Sequence, residues 1–210
     1  MPIDQQLLVA FTVTTIVAMI TPGPDMLFVL GCGMRGGPRA GLLATAGVAT
    51  SEAVHVAVAA AGLTALFAAV PVAFTVVRVV GGAYLIYLGV QMIRRRAATV
   101  DDAPIERGGM PGRRAYLSGL LTNLLNPKMV TFTIAFLPQF VDPDLGRVWL
   151  QFAILGVLLV ALEFLVDGTV GVLAGRIGGW LRRRRAVRRR IDVATGGLFI
   201  GLGVRLAAER

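Results

Sequence analysis

Thr21-Pro22-Gly23-Pro24-Asp25-Met26 interrupts an apolar run from Leu7 to Leu30, and Asn126-Pro127-Lys128-Met129 interrupts another from Ala115 to Val141. Each run is long enough to span a hydrocarbon core of about 30 Å at about 1.5 Å per helical residue. Pro22, Pro24 and Pro127 lack the amide proton a helix uses, and each ring clashes with the preceding turn. Gly23 loosens the backbone between two of them. The spacing predicts two helices broken inside a membrane. A break frees backbone N–H and C=O groups that lipid cannot satisfy, so they must face protein, water or a polar substrate. The helix that resumes after a break turns its positive dipole end toward that space.

Four more apolar runs flank these two: Gly41–Ala69, Phe74–Ile93, Val148–Ala174 and Ile191–Ala208. None alternates with period two, and all exceed the length of a barrel strand, so helices are expected. The 210 residues are 56% hydrophobic and 16% charged, against roughly 45–50% and about 25% in soluble domains. Mean hydropathy is +0.74. A soluble fold of this size could not bury that much apolar surface, and disorder requires the opposite composition. Cys32 is the only cysteine, which excludes a disulfide scaffold and a dithiol electron carrier. No basic residue precedes Arg35, so the positive start of a secretory signal peptide is missing. No phosphate-binding loop and no Gly-x-Ser-x-Gly motif is present, which speaks against an ATPase or a hydrolase.

The net charge of +9 orients the chain. Arg35 and Arg39 follow the first run, Arg94–Arg96, Arg107, Arg113 and Arg114 lie between the third and fourth, and Arg176 with Arg182–Arg185 and Arg188–Arg190 lies between the fifth and sixth. The positive-inside rule places these three connections in the cytoplasm and both termini outside. Arg205 and Arg210 follow the sixth run and weigh against the placement of the C-terminus. Basic residues between spans read as topology signals with some attraction for anionic lipid, not as a nucleic-acid site. Residues 97–114 form a polar, Gly- and Pro-containing linker between two halves, 1–96 and 115–210.

The halves echo each other. Gly82, Ile86, Leu88, Gly89 and Val90 recur as Gly196, Ile200, Leu202, Gly203 and Val204, and the two interruptions also align. With three spans per half, the second half enters from the opposite side, the inverted repeat of many secondary transporters. The fold expected is all-α: a polytopic membrane protein of six helices in two inverted three-helix repeats, the first and fourth helices broken.

Charges inside the runs mark a site, because a charge at the centre of a span costs about 2.5–3.5 kcal/mol even on the lenient insertion scale. They are Asp25, Glu52, Lys128, Glu163 and Asp167. Lys128, the only lysine in the chain, aligns with Asp25. The two are expected to pair across the pseudo-two-fold axis; a purely structural bridge is the plainer alternative. Glu52 and His55 share a helix face, a proton relay or a structural stitch. Glu163 and Asp167 share another face and read as coupling carboxylates, as lining of a cytoplasmic vestibule, or as partners of Arg78. A lone histidine without a second soft ligand argues against a metal site.

The chain resembles the lysine exporter and threonine/homoserine exporter translocators, the LysE/RhtB family. The resemblance rests on Thr21-Pro22-Gly23-Pro24-Asp25-Met26, Gly36–His55, Asn123–Lys128, Phe136-Leu137-Pro138-Gln139-Phe140 and Gly196–Leu206. It implies a bacterial inner-membrane exporter of amino acids or related metabolites driven by the proton motive force, with Pro22, Gly23, Pro24, Asn126, Pro127 and Lys128 shaping the translocation site. Glu163 and Asp167 stand where the family pattern leads one to expect apolar residues. A zwitterion suits the site: the resumed helix and Lys128 for its carboxylate, Asp25 for its ammonium. The expectation is export of an amino acid by proton antiport with no cofactor, no metal, no nucleic acid and no enzymatic step. Small-residue faces allow a homodimer. The rival is a metal or inorganic-ion exporter on the same scaffold.

Overall fold

The computed structural model describes residues 3–20, 24–70, 72–94, 111–176 and 185–208. Among them are seven long helices and no strand. They are α1 (Gln5–Ile20), α2 (Pro24–Ala69), α3 (Val72–Arg94), α4 (Gly112–Leu124), α5 (Pro127–Phe136), α6 (Val148–Val172) and α7 (Arg185–Ala208). Each apolar run is helical. Asp4 starts α1 by accepting the amides of Gln6 and Leu7 at 2.8 and 3.0 Å, donors a first turn otherwise leaves unmatched. The second interruption is where the sequence places it: α4 stops at Leu124 and α5 begins at Pro127, a position where a missing amide costs nothing. Of the first interruption, Thr21, Pro22 and Gly23 lie outside the described residues, and α2 starts at Pro24.

Two local features differ from the sequence reading. Gly37 bends α2 sharply at φ 76°, ψ −176°, a backbone region in which a Cβ is strained, and Pro38 cannot continue the preceding ladder. Arg35 and Arg39 stand exposed on either side of this bend. At the other end of the chain, Arg185–Arg190 is not loop but the opening turns of α7. Arginine is a good helix former, so the helix extends beyond its apolar part.

α2 packs against both α4 and α6, and α3 against α7. Small residues let the backbones approach. A Cβ on Gly47 would strike the Tyr116 carbonyl, one on Gly119 the Ala44 carbonyl, and one on Gly41 the backbone of Gly171. In lipid, where no hydrophobic drive brings helices together, such contacts supply the packing. The apolar core centres on Phe11, Phe136, Phe140 and Phe152, all fully buried. Phe11 meets Phe140 edge-on at 5.1 Å, and Phe132 stacks on Phe136 at 4.7 Å.

The radial distribution is inverted relative to a soluble domain. Val9, Val58, Val157 and Leu165 are more than half exposed, while Asp25, Glu52, Glu163 and Asp167 are buried. Asp25–Leu66 and Val148–Val172 are long and apolar enough to cross a membrane, and three shorter apolar helices accompany them.

Candidate functional site

The interruptions position the polar interior. Asp25 sits in the first turn of α2, where the freed amides of a helix start favour an anion. Asn126 occupies the gap between α4 and α5, and its side-chain amide donates to Asp25 Oδ1 at 3.5 Å. The start of α2 and the gap between α4 and α5, far apart in sequence, therefore meet in space.

Deeper in α2, Glu52 is almost fully buried. Its Oε1 accepts the Thr133 hydroxyl of α5 at 2.7 Å. Its Oε2 faces His55 Nδ1 at 3.6 Å. The other ring nitrogen, Nε2, lies 3.4 Å from the Leu124 carbonyl in the last turn of α4. Carbonyls there have no further amide in their own helix and need an outside partner. A carbonyl only accepts, so Nε2 carries the hydrogen. Asn123, fully buried one residue earlier, donates to the Val48 carbonyl at 3.3 Å and fixes α4 against α2.

Glu163 and Asp167 on α6 are both buried and lie in the same electrostatic field. Glu163 interacts with Glu52, Asp167 and Asp25, and Asp167 with Asp25. Glu163 Oε2 has no hydrogen-bond partner among the described residues. The side chains of Pro24, Lys128, Pro127 and Arg78 lie outside the described residues, as do Pro22 and Gly23 entirely. The expected pairs of Asp25 with Lys128, and of the α6 carboxyls with Arg78, fall on them. Among the described residues no group of three His, Cys, Asp or Glu could hold a metal ion.

Of the site residues expected from sequence, Asp25, Asn126, Glu52, His55, Glu163 and Asp167 thus gather around α2. Sequence reading missed Thr133 and the Leu124 carbonyl. One is an uncharged residue in an apolar helix and the other a backbone atom, and neither stands out in composition. The only signal was proximity to Asn126-Pro127.

The chain matches the model of the LysE type translocators over residues 16–210. It is 32% identical to an uncharacterized membrane protein of Pseudomonas aeruginosa, over 94% of this chain and 93% of the relative. It is 29% identical to the homoserine/homoserine lactone efflux protein of Salmonella typhi, over 96% of each chain. It is also 29% identical to the leucine efflux protein of Klebsiella pneumoniae, over 94% of this chain and 92% of that one. No solved structure matches.

Proposed function

We propose, from the premise that this chain belongs to the LysE type translocator family, that it exports an amino acid or a close relative. The relatives named for homoserine and leucine efflux support that substrate class. Export runs by proton antiport with alternating access from a bacterial plasma membrane. The Arg-rich connections face the cytoplasm and both termini face outward.

The observation that carries this reading is the contact of Asn126 with Asp25 at 3.5 Å. It joins the start of α2 to the gap between α4 and α5, which supports a site at two paired interruptions, the arrangement in which secondary transporters hold substrate. In a zwitterion site, Asp25 takes the ammonium. The start of α5, with Lys128, takes the carboxylate. Pro22, Gly23, Pro24 and Pro127 keep the two breaks open. Glu52, His55, Glu163 and Asp167 carry the coupling proton, since carboxyl and imidazole groups in a dry interior exchange protons more readily than they exchange bulk ions.

The inverted repeat is supported by the way the glycines pack. Gly89 meets Gly196 and Gly203 meets Gly82, and the repeat equates Gly82 with Gly196 and Gly89 with Gly203. Each contact is therefore the two-fold image of the other. The two halves rock about this axis to expose the site alternately.

The test is counterflow of labelled amino acids into liposomes holding the purified protein, beside Asp25→Asn and Lys128→Met. Saturable uptake of one substrate class, abolished by both substitutions, is the expected result. Uptake untouched by either would reduce the pair to structure. No counterflow across the whole panel from folded protein would remove amino acids as substrates.

A further inference from the structure

Four groups from three helices form one line of contacts: Thr133 on α5, Glu52 and His55 on α2, and the Leu124 carbonyl ending α4. Thr133 Oγ1 holds Oε1 of Glu52 at 2.7 Å, and both residues are at most 1% exposed. Glu52 Oε2 and His55 Nδ1 have no hydrogen-bond partner among the described residues, yet they face each other at 3.6 Å. The Leu124 carbonyl at 3.4 Å commits Nε2 to being a donor. Oε1 of the carboxyl and Nε2 of the imidazole thus each have a partner, and Oε2 and Nδ1 are left facing each other with room for a hydrogen between them.

We propose that Thr133 and the Leu124 carbonyl are positioning groups that make Glu52 and His55 a pair sharing one exchangeable proton. In one arrangement Glu52 Oε2 carries the proton and donates to the Nδ1 lone pair. In the other the O–H bond breaks and an N–H bond forms at Nδ1, leaving carboxylate beside imidazolium with the net charge unchanged. When the proton leaves to water, a carboxylate oxygen confronts a bare lone pair and the contact becomes repulsive. That repulsion acts between two side chains of α2, and the ring it displaces is tied through Nε2 to the end of α4. Loss of the proton is thus felt at the Asn126–Pro127 break, where substrate would sit. Glu163 on α6 acts on Glu52, and Asp167 on α6 and Asp25 on α2 act on Glu163 in turn; the side chains of Lys128 and Arg78 lie outside the described residues. The inference rests on the reading that Glu52 and His55 carry the coupling proton, but its test needs no transport.

His55 is the only histidine in the chain, so nitrogen-15 labelling of histidine gives a single-site spectrum, provided the purification tag contains no histidine. In liposomes, Nε2 is expected to carry hydrogen at every pH, and Nδ1 to resonate between the bare and protonated values while the pair holds its proton. Thr133→Val has nearly the same volume but no donor. An ionised carboxylate gains more from a hydroxyl than a neutral one does, so this change is expected to move the Nδ1 signal toward the bare nitrogen. Thr133→Ser restores it, and Glu52→Gln, with no carboxyl to share a proton, removes the intermediate Nδ1 signal. A hydrogen on Nδ1 with a bare Nε2 in the wild type would overturn the proposal without any variant being made. A Thr133→Val spectrum superimposable on the wild type would overturn the role of Thr133. Counterflow with the same preparations reports on export separately, so loss of one reading leaves the other intact.

Discussion

A Cβ on Gly89 would strike the backbone carbonyl of Gly196, and a Cβ on Gly196 would strike the backbone carbonyl of Gly89. The crossing of α3 with α7 is held by mutual absence of side chains. Gly196→Val therefore forces the helices apart, and overpacking of this kind costs about 1–3 kcal/mol. Gly201, on the same helix, has nothing within 4 Å, and Gly201→Ala is expected to be neutral. Thermal unfolding in detergent separates the two. Equal midpoints would mean the crossing does not bear on stability.

Gln151 predicts a second stability effect. Its side chain donates to the carbonyls of Asp142 and Gly146 at 2.7 and 2.9 Å and accepts the Asp142 amide at 2.8 Å. It staples the turn before α6, in which Arg147 adopts a left-handed backbone at φ 47°. Gln151→Leu leaves these backbone groups without a protein partner, a loss of about 1–3 kcal/mol. A lower unfolding midpoint with unchanged flux per folded molecule is the expected pair of results, since the staple lies away from the carboxyl cluster.

Asn126→Leu removes the donor to Asp25 while keeping the break, which Pro127 enforces. A hydrogen bond to a charged group is worth about 1.5–3 kcal/mol, so half-saturation in counterflow is expected to rise about tenfold or more. Asn126→Asp sets a like charge against Asp25 and is expected to be worse. Unchanged half-saturation in both would detach Asn126 from substrate.

Glu163→Gln tests coupling apart from binding. Exchange of substrate for substrate requires no net proton movement, whereas accumulation against a gradient does. The substitution is expected to leave counterflow within about threefold of the wild type, well under the tenfold that 1.4 kcal/mol represents, while abolishing uptake driven by an imposed pH difference. Retained pH-driven accumulation would exclude Glu163 from the proton route.

Sidedness can be read with single cysteines. Cys32 is buried, and Cys32→Ala provides a cysteine-free background. Cysteines at the exposed positions 111 and 145 are expected to react with impermeant reagent from opposite sides, the first only from the cytoplasm. Labelling of both from one side would contradict the charge-derived topology.

Much of the molecule was legible in the chain. Length and apolarity of the runs dictate helices, because a backbone in lipid must satisfy its own hydrogen bonds. Pro127 and Asn126 mark a break for equally local reasons, as do Pro24 and Asp25. The spacing of Glu52 with His55, and of Glu163 with Asp167, follows from the helical period alone. The recurrence of Gly82 and Gly89 as Gly196 and Gly203 could be seen before any crossing was known.

What the sequence determined by itself was therefore most of what depends on neighbours within a turn or two: where the apolar helices run, where Pro127 interrupts one, and which residues share a face. Which faces meet was decided by the tertiary structure. The rotation of α2 against α4, α5 and α6 is set by glycine contacts between residues far apart in the chain, such as Gly41 with Gly171 and Gly47 with Tyr116. Only that rotation brings Thr133 to Glu52 and the Leu124 carbonyl to His55, and carries the α6 carboxyls in among the other acids. Close packing between small residues is a property of pairs of surfaces, and it leaves no trace in the local period of either one.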